Sequence, residues 1–218
     1  KPHYTFNLRD FAKVIQGVMM IDPKRVMTST QLGRVFSHEG FRVFRDRMVN
    51  YDDAAWITEQ IQDKVTNVLK MDWDKVNPSE RLFYGNYMEG LGADPKIYDE
   101  IPDLEKLSNM MNEYLADYNA ESKSPMNLVL FLDAIEHVSR IARVLSQPRG
   151  NVLLLGVGGS GRQSLTRLAT FLSEFQIVFI FFYIKHIYNA FGANYSFLNS
   201  RVKTISFKII QSIYIKLT

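Results

Sequence analysis

The sequence predicts a mostly α-helical protein with one small α/β element near residue 150. Through most of the first 150 residues, apolar side chains recur every three or four positions, which is typical of amphipathic helices. After them, the short apolar run 151–155 is followed by a glycine-rich turn and another amphipathic segment. With 218 residues and 46% hydrophobic composition, the chain can form one sizeable core or two small units in series.

Three helices are predicted before residue 71. The first begins at Asp10, which we expect to cap it, and it ends before Pro23. The second runs over about residues 30–48 and is rich in arginine. The third follows the aspartate pair at 52–53, which we interpret as its cap.

Residues 71–100 contain three glycines and two prolines, so they predict a loop and a module boundary. A fourth helix follows, with Pro102 suited to its first turn. Residues 126–146 show the clearest helical pattern, and Pro148 ends it. The run 151–155 predicts a buried strand of the kind found in parallel sheets.

Composition excludes several classes of partner. A net charge of +3 argues against dedicated nucleic-acid binding, and the absence of cysteine excludes disulfides and thiolate metal sites. The longest apolar run, 175–184, is too short to span a bilayer, which needs ~20 residues. We therefore expect neither nucleic acid nor a membrane as partner. The N-terminus has neither an apolar signal region nor an initiator Met, so we expect the interior of a longer chain.

A phosphate-binding P-loop is predicted between the strand at 151–155 and the helix after it. Glycines let backbone N–H groups curl around a phosphate, and the start of the helix adds free N–H groups and the positive end of its dipole. A basic residue after the last glycine reaches the outer phosphates. The candidate nucleotide-binding residues are Gly156, Val157, Gly158, Gly159, Ser160, Gly161, Arg162, Gln163 and Ser164.

Two positions depart from the usual pattern G-x-x-x-x-G-K-[ST]. Arg162 stands where lysine is expected, and it keeps the charge but not the compact ammonium geometry. Gln163 replaces the hydroxyl that ligates Mg²⁺, and Ser164 is rotated from that position by about 100° around the helix. The sequence therefore predicts ATP or ADP as ligand and leaves Mg²⁺ in doubt. An ordinary glycine-rich turn is the alternative, which the flanking strand and the glycine spacing disfavour.

Other polar residues are weaker candidates. The four histidines show no metal-ligand spacing, and no His–Asp arrangement lies near Ser160 or Ser164. We therefore predict no metal site and no catalytic residue. Four arginines are interpreted as a solvated or interdomain helix face, with phosphate binding as the alternative: Arg34, Arg42, Arg45 and Arg47.

Several separated blocks resemble axonemal dynein heavy chains and occur in that family's order. These blocks are residues 3–10, 83–88, 128–141 and 150–168. The first is similar to the start of the third module's helical lid, and the second to the segment that enters the fourth AAA+ module. The last two are similar to the fourth module itself, where the Arg162-Gln163 variant is familiar. The resemblance covers about residues 1–177.

The resemblance implies an ATP-driven motor of cilia that moves towards microtubule minus ends. The implied partners are the other AAA+ modules of the dynein ring, dynein intermediate and light chains, and microtubules. The implied location is the cytoplasm, the cytoskeleton and the ciliary axoneme. The resemblance divides the chain into a helical AAA+ lid (1–80), the N-terminal part of an AAA+ α/β core (81–177) and a divergent tail (178–218).

The resemblance also implies roles for three residues outside the P-loop. Arg9 occupies the place of the lid arginine that senses the γ-phosphate of the preceding module. Leu128 and Val129 lie where the adenine pocket is expected. The ordinary interpretations stay open: a surface residue for Arg9, and plain helix core for the other two.

The tail at 178–218 contains no Asp or Glu and is rich in Phe, Ile, Tyr, Lys and Asn. This bias is expected of translated A/T-rich non-coding sequence, so we expect a truncated or alternatively spliced product, with a membrane-surface tail as the alternative. Because no acidic pair follows the P-loop, we predict that the isolated chain lacks ATPase activity. The alternative function is a non-enzymatic interaction fragment, or a fragment without function. An unrelated P-loop kinase or GTPase is disfavoured.

Overall fold

The computed structural model describes residues 1–79, 81–154, 156 and 158–177. These residues form seven α-helices and one two-stranded sheet, so the prediction of a mostly helical fold is confirmed. The helices are α1 (Leu8–Val18), α2 (Ser29–Val43), α3 (Tyr51–Asp63), α4 (Trp73–Val76), α5 (Leu104–Glu121), α6 (Leu132–Leu145) and α7 (Arg162–Leu172). The strands are β1 (Tyr84–Gly85) and β2 (Asp99–Glu100).

Helices α1 and α2 pack against each other, and each begins with a capping box. Asn7 has an extended backbone and accepts a hydrogen bond from the backbone N–H of Arg9 at 2.8 Å. Asp10 in turn accepts one from the N–H of Asn7 at 3.0 Å. The prediction that Asp10 caps α1 is therefore wrong, because the cap is the extended residue that precedes the first turn. At α2, Thr28 and Gln31 form the equivalent pair.

Helix α3 also begins at an asparagine. Asn50 is extended and accepts a hydrogen bond from the N–H of Asp53 at 2.9 Å, so it is the N-cap. The prediction that the aspartate pair caps this helix is wrong, since Asp52 and Asp53 lie in the first turn. Their negative charges suit the positive end of the helix dipole there. Shorter helical turns occur at Pro23–Arg25 (3₁₀), Arg45–Arg47 (3₁₀) and Lys64–Val68 (π).

The described part of segment 71–100 is mostly loop, as predicted, with short elements inside it. Helix α4 is a single turn, and β1 pairs antiparallel with β2 so that Tyr84 lies opposite Glu100. The backbone N–H of Ile101 extends this pairing by donating to the carbonyl of Phe83 at 2.8 Å. The sheet lies against α6, so this segment connects the first helices to those that follow.

Helices α5, α6 and α7 form the larger core. Its fully buried side chains include Leu107, Met111, Ile135, Val138, Leu168 and Leu172. Asp103 is the N-cap of α5, so Pro102 precedes the helix instead of lying in its first turn. Helix α6 begins at Leu132, six residues later than the apolar pattern predicts, because residues 126–131 lie outside the helix.

The predicted buried strand at 151–155 is not found in the part of it that the structure describes. Residues 151–154 join no sheet, and the side chain of Leu153 is 67% exposed. Leu155 lies outside the described residues. A parallel strand needs hydrogen-bonded neighbours, and the two described strands, β1 and β2, pair with each other. The strand prediction is therefore wrong for 151–154, since an apolar run does not reveal whether a neighbouring strand is present.

A second, smaller core joins the N-terminal helices to the segment after residue 80. Ile21 and Val35 are buried against Tyr84 and Tyr98. The rings of the two tyrosines stack with their centroids 6.0 Å apart. No helix within the described residues is long and apolar enough to cross a membrane. The predicted tail, 178–218, lies outside the described residues.

Candidate functional site

The predicted P-loop forms an exposed turn that ends at the start of α7. Gly156 and the described residues 158–160 are exposed, whereas Val157 lies outside the described residues. Gly161 is the N-cap of α7 and has a φ of +76°, a left-handed conformation that favours glycine. Gly159 has a φ of +82°. Two left-handed residues within three positions give the tight curl that phosphate-binding loops require.

Gly156 lies where other side chains of the loop approach the backbone. A Cβ atom at this position would be 2.9 Å from Ser160 Oγ and 3.4 Å from both Cδ and Nε of Arg162. The structure therefore brings the first glycine, the serine and the arginine of the motif together. A larger residue at Gly156 would displace these two side chains.

The last three candidate residues, Arg162, Gln163 and Ser164, lie half-buried in the first turn of α7. The N-cap, Gly161, makes no side-chain hydrogen bond, and the positive end of the helix dipole faces the loop. This arrangement suits an anionic ligand. The predicted strand that should precede a P-loop is not found at 151–154, so the loop itself and the start of α7 are the parts of the motif that the structure describes.

Two side chains near the loop bear on magnesium binding. Gln163 offers a neutral amide where the usual motif has a hydroxyl. The hydroxyl of Thr166 donates to the backbone carbonyl of Arg162 at 2.7 Å, which keeps it within its own helix. No group of three metal-ligating side chains occurs among the residues that the structure describes.

Helix α7 is held at its C-terminus, away from the P-loop, and along its buried face. It packs against α5 and α6 through Leu168, Ala169 and Leu172. At its C-terminus, the ammonium of Lys96 donates to the carbonyl of Leu172 at 3.3 Å and pairs with Glu174 at 3.2 Å. The P-loop therefore projects from a helix whose rear end is fixed.

The two residues proposed for the adenine pocket differ in environment. Leu128 is half-buried against the larger core, to which Leu154 and Leu165 also contribute. Val129 is 83% exposed. Neither lies in helix α6, so the alternative interpretation as plain helix core is wrong for both. The structure thus brings Leu128 to the core that supports α7, and it leaves Val129 at the surface.

Arg9 lies exposed in the first turn of α1, in the helical unit that precedes the P-loop unit. Its backbone N–H is used by the cap at Asn7. Among the four arginines predicted to form a helix face, Arg34 and Arg42 pair with acids beyond residue 80, namely Glu100 and Glu136. These two contacts favour the interdomain interpretation.

A buried polar group centred on Glu39 was missed by the sequence analysis. The Glu39 side chain is fully buried and accepts hydrogen bonds from His38 Nδ1 (3.1 Å), Tyr98 Oη (2.9 Å) and Arg143 Nε (2.9 Å). The signal that could have found it is an acidic residue on the face of α2 that carries buried Val35. Helical spacing places Glu39 one turn from Val35 on that face.

The pKa values in this group follow from burial and from its hydrogen bonds. Burial by itself would raise the pKa of Glu39, but the hydrogen bonds from His38 and Arg143 outweigh it and hold this pKa at about 2. Burial lowers the pKa of His38 to about 4, so His38 is neutral at pH 7 and donates a neutral hydrogen bond. Burial also raises the pKa of Tyr98 well above its ordinary value. At neutral pH the group therefore holds one anion, Glu39, and one cation, Arg143.

Comparison with known protein families gives two separate matches. Residues 1–80 match the AAA+ lid domain, and residues 126–195 match the P-loop containing dynein motor region D4. The second match includes the whole candidate loop. It also extends into the first part of the predicted tail, to residue 195.

Three similar relatives are axonemal dynein heavy chains. The chain is 46% identical to human dynein axonemal heavy chain 1 over 176 residues, which is 81% of this chain and 4% of the relative. It is 42% identical to mouse dynein axonemal heavy chain 3 over 189 residues, again 81% of this chain and 5% of the relative. Human dynein axonemal heavy chain 6 is 42% identical over 182 residues, covering 81% of this chain and 4% of the relative. The chain thus spans about one twentieth of the length of these relatives.

The predicted family and fold are confirmed, and so is the predicted location in the axoneme, at the level of the family name. Along the chain, the match to the AAA+ lid domain precedes the match to the P-loop region. On this architecture, and on identities above 40% over four fifths of its residues, the chain belongs to the axonemal dynein heavy chain family.

Proposed function

We propose that this chain provides a nucleotide-binding element of a dynein motor, in which the P-loop at residues 156–164 holds the phosphates of ADP or ATP. One observation carries the proposal: the left-handed Gly161 begins α7 directly before Arg162, whose side chain approaches Gly156. This places a cation and a helix N-terminus on the same tight loop. Both favour a phosphate group.

We further propose that binding depends little on Mg²⁺ and that hydrolysis at this site is slow or absent. Gln163 cannot supply the usual hydroxyl ligand, and the nearby hydroxyl of Thr166 is engaged within α7. Phosphoryl transfer depends on a well-placed metal ion to neutralise developing charge. A site that binds nucleotide without turning it over is suited to a structural or regulatory role.

For the complete protein we propose the activity of the family, an ATP-driven motor of cilia that moves along microtubules. Its proposed partners are the other AAA+ modules of the ring, dynein intermediate and light chains, and microtubules. Within the chain we propose that residues 1–80 are the lid of the third module and residues 81–177 the beginning of the fourth. Residues 178–218 would then be a divergent segment, although the family match to residue 195 argues against this for its first part.

Two further roles are proposed on the family resemblance together with position. Arg9, exposed on α1, would contact the γ-phosphate of a nucleotide in the module that its lid completes. Leu128 would contribute to the adenine pocket from its place on the core that supports α7. Val129, at 83% exposure, would contribute only if another segment covered it.

The test is a titration of the folded chain with fluorescent ADP and ATP, with Mg²⁺ and with a chelator. We expect saturable binding that is similar in both conditions. Arg162→Ala should weaken binding at least about tenfold, since it removes a charge-assisted contact to phosphate. Lys123→Ala, which removes an exposed cation from another loop, is the matched control and should leave binding unchanged.

Absence of saturable binding by a folded chain would refute the nucleotide proposal. It would leave the non-enzymatic interaction fragment as the better description. A strict requirement for Mg²⁺ would refute only the second proposal, because it would show that another group replaces the missing hydroxyl.

A further inference from the structure

The loop at residues 156–164 contains one basic residue, Arg162, and no acidic residue. Arg162 is the first residue of α7 and directly follows the left-handed N-cap, Gly161. The N-terminus of the helix adds roughly half an elementary charge to that of the guanidinium. The loop itself therefore supplies about one and a half positive charges to a bound phosphate chain.

A nucleoside triphosphate carries one more negative charge than a diphosphate, and a site that binds it has to neutralise that charge. In phosphoryl-transfer sites a Mg²⁺ ion does so by bridging the β- and γ-oxygens. The usual loop holds this ion through a hydroxyl, where the present chain has the longer, uncharged amide of Gln163. The nearby hydroxyl of Thr166 donates to the carbonyl of Arg162 at 2.7 Å. The charge of a γ-phosphate would therefore stay uncompensated in this loop.

The side chain of Arg162 also limits the length of the phosphate chain that fits. A Cβ atom built on Gly156 would lie 3.4 Å from both Cδ and Nε of Arg162 and 2.9 Å from Oγ of Ser160. The arginine therefore extends from the start of α7 back to the first glycine of the loop. A diphosphate at the helix N-terminus fits within this span, whereas a third phosphate would extend into the space that Arg162 and Ser160 occupy.

The chemistry of arginine favours the same ligand. Its planar guanidinium donates two parallel hydrogen bonds, which match two oxygens of one phosphate group. The lysine of the usual loop acts instead as a compact point charge that reaches the β- and γ-phosphates. Arg162 is thus suited to holding one terminal phosphate, and in a nucleoside diphosphate this is the β-phosphate.

We propose that the loop selects a metal-free nucleoside diphosphate, such as ADP, over a nucleoside triphosphate. Arg162 holds the β-phosphate at the N-terminus of α7, and Gln163 withholds the hydroxyl ligand that magnesium needs. This selection rests on the proposed function, since the loop must bind nucleotide phosphates before it can distinguish their number. The order of affinities follows from these two side chains.

The test is a competition measurement on the full chain, in which unlabelled ADP and ATP displace a fluorescent ADP. With a chelator present, ADP should bind at least about tenfold more tightly than ATP, which is the effect of one additional uncompensated charge. Adding Mg²⁺ should not remove this preference, since Gln163 provides no hydroxyl ligand. Inorganic pyrophosphate should displace the probe at a lower concentration than tripolyphosphate, which separates the number of phosphates from contacts to the base.

Two substitutions that restore the usual motif should abolish the preference for ADP. Arg162→Lys with Gln163→Ser supplies the compact ammonium and the hydroxyl, so ATP with Mg²⁺ should bind at least as tightly as ADP. Gln163→Ser alone should make ATP binding depend on Mg²⁺. Lys123→Ala, which removes an exposed cation outside the loop, is the control and should keep the preference for ADP. Circular dichroism of each variant checks that its helices are intact.

Equal affinities for ADP and ATP, or tighter binding of ATP, would overturn the selection while leaving nucleotide binding in place. A double variant that folds and still prefers ADP would overturn the assignment to Arg162 and Gln163. Absence of saturable binding of either nucleotide by a folded chain is a different result, because it refutes the proposed function from which the selection follows. If the double variant does not fold, the comparison of ADP with ATP on the unmodified chain still decides.

Discussion

Gly17 shows how closely single atoms are fitted at the junction of α1, α2 and α6. The position has no room for a Cβ atom, since that atom would overlap the carboxylate of Glu39. The carboxylate cannot move away without losing its hydrogen bonds to Tyr98 and Arg143. The glycine is therefore required by contact and not by backbone conformation.

Gly17→Ala is expected to lower the free energy of unfolding by about 3 kcal/mol, because it disrupts a buried ion pair. Chemical denaturation of the full chain measures this change. Gly158→Ala is the matched control, since among the described residues none apart from its chain neighbours has an atom within 4 Å of a Cβ atom built there, and it should change stability little. Equal effects of the two substitutions would contradict the close contact at Gly17.

The same buried group makes stability depend on pH. The pKa of His38 is about 4 in the folded protein and near 6.5 when exposed, so protons bind preferentially to the unfolded chain below pH 6.5. The pKa of Glu39 is about 2 in the folded protein, so its contribution is lost as pH falls below about 4.5. Both groups therefore destabilise the fold on acidification.

We expect the free energy of unfolding to fall by about 3 kcal/mol through His38 alone between pH 7 and pH 4. Denaturation midpoints measured across this range test the prediction. His38→Gln should flatten the upper part of the curve while the fall below pH 4.5 persists through Glu39. A variant whose curve matches that of the unmodified chain would contradict the assignment to His38.

Among the elements, the presence of the helices was the most predictable feature, and the residues at which they begin were the least predictable. Apolar spacing indicates a helix because every residue contributes to the pattern. A cap, in contrast, depends on which of several nearby Asn or Asp residues has an extended backbone. Asn7 and Asn50 have it, so Asp10 and the pair Asp52–Asp53 lie inside their helices.

Asn50→Ala is expected to destabilise the chain by about 1 kcal/mol, because it removes the hydrogen bond to the N–H of Asp53. Asp52→Asn is the control and should have a smaller effect, since Asp52 contributes only its charge near the helix dipole. Thermal denaturation of both variants decides the point. A larger loss from Asp52→Asn would restore the aspartate as the cap.

The candidate site was predictable only in part, for a physical reason. Glycine spacing is a local property, and the structure places left-handed residues at Gly159 and Gly161. The run at 151–154 is different, because a strand exists only where another strand pairs with it. The burial of Glu39 also depends on distant residues, chiefly Arg143, which lies more than 100 positions away.

At the scale of the whole molecule, two contacts join the lid region to the P-loop region: the smaller apolar core around Tyr84 and Tyr98, and the buried ion pair between Glu39 and Arg143. Because both span the boundary near residue 80, neither side can open without exposing them. We therefore expect the described part of the chain to unfold as one unit.

Calorimetry of the full chain should show a single transition for these residues. Arg143→Met leaves Glu39 buried without its cation. It should lower the free energy of unfolding by about 3 kcal/mol while the chain still unfolds in a single transition. Arg25→Met, which removes an exposed ion pair with Asp99, is the control and should change this free energy little. Two separate transitions in the unmodified chain would contradict this coupling.

Helix α7 also has a mechanical property, because it is a rigid rod. Its eleven residues span about 16 Å. Lys96 donates a hydrogen bond to the carbonyl of Leu172 at its C-terminus, and the exposed P-loop precedes its N-terminus. A force applied at Gly161 is therefore resisted both by the buried face of α7, at Leu168 and Ala169, and by the Lys96 contact at its C-terminus.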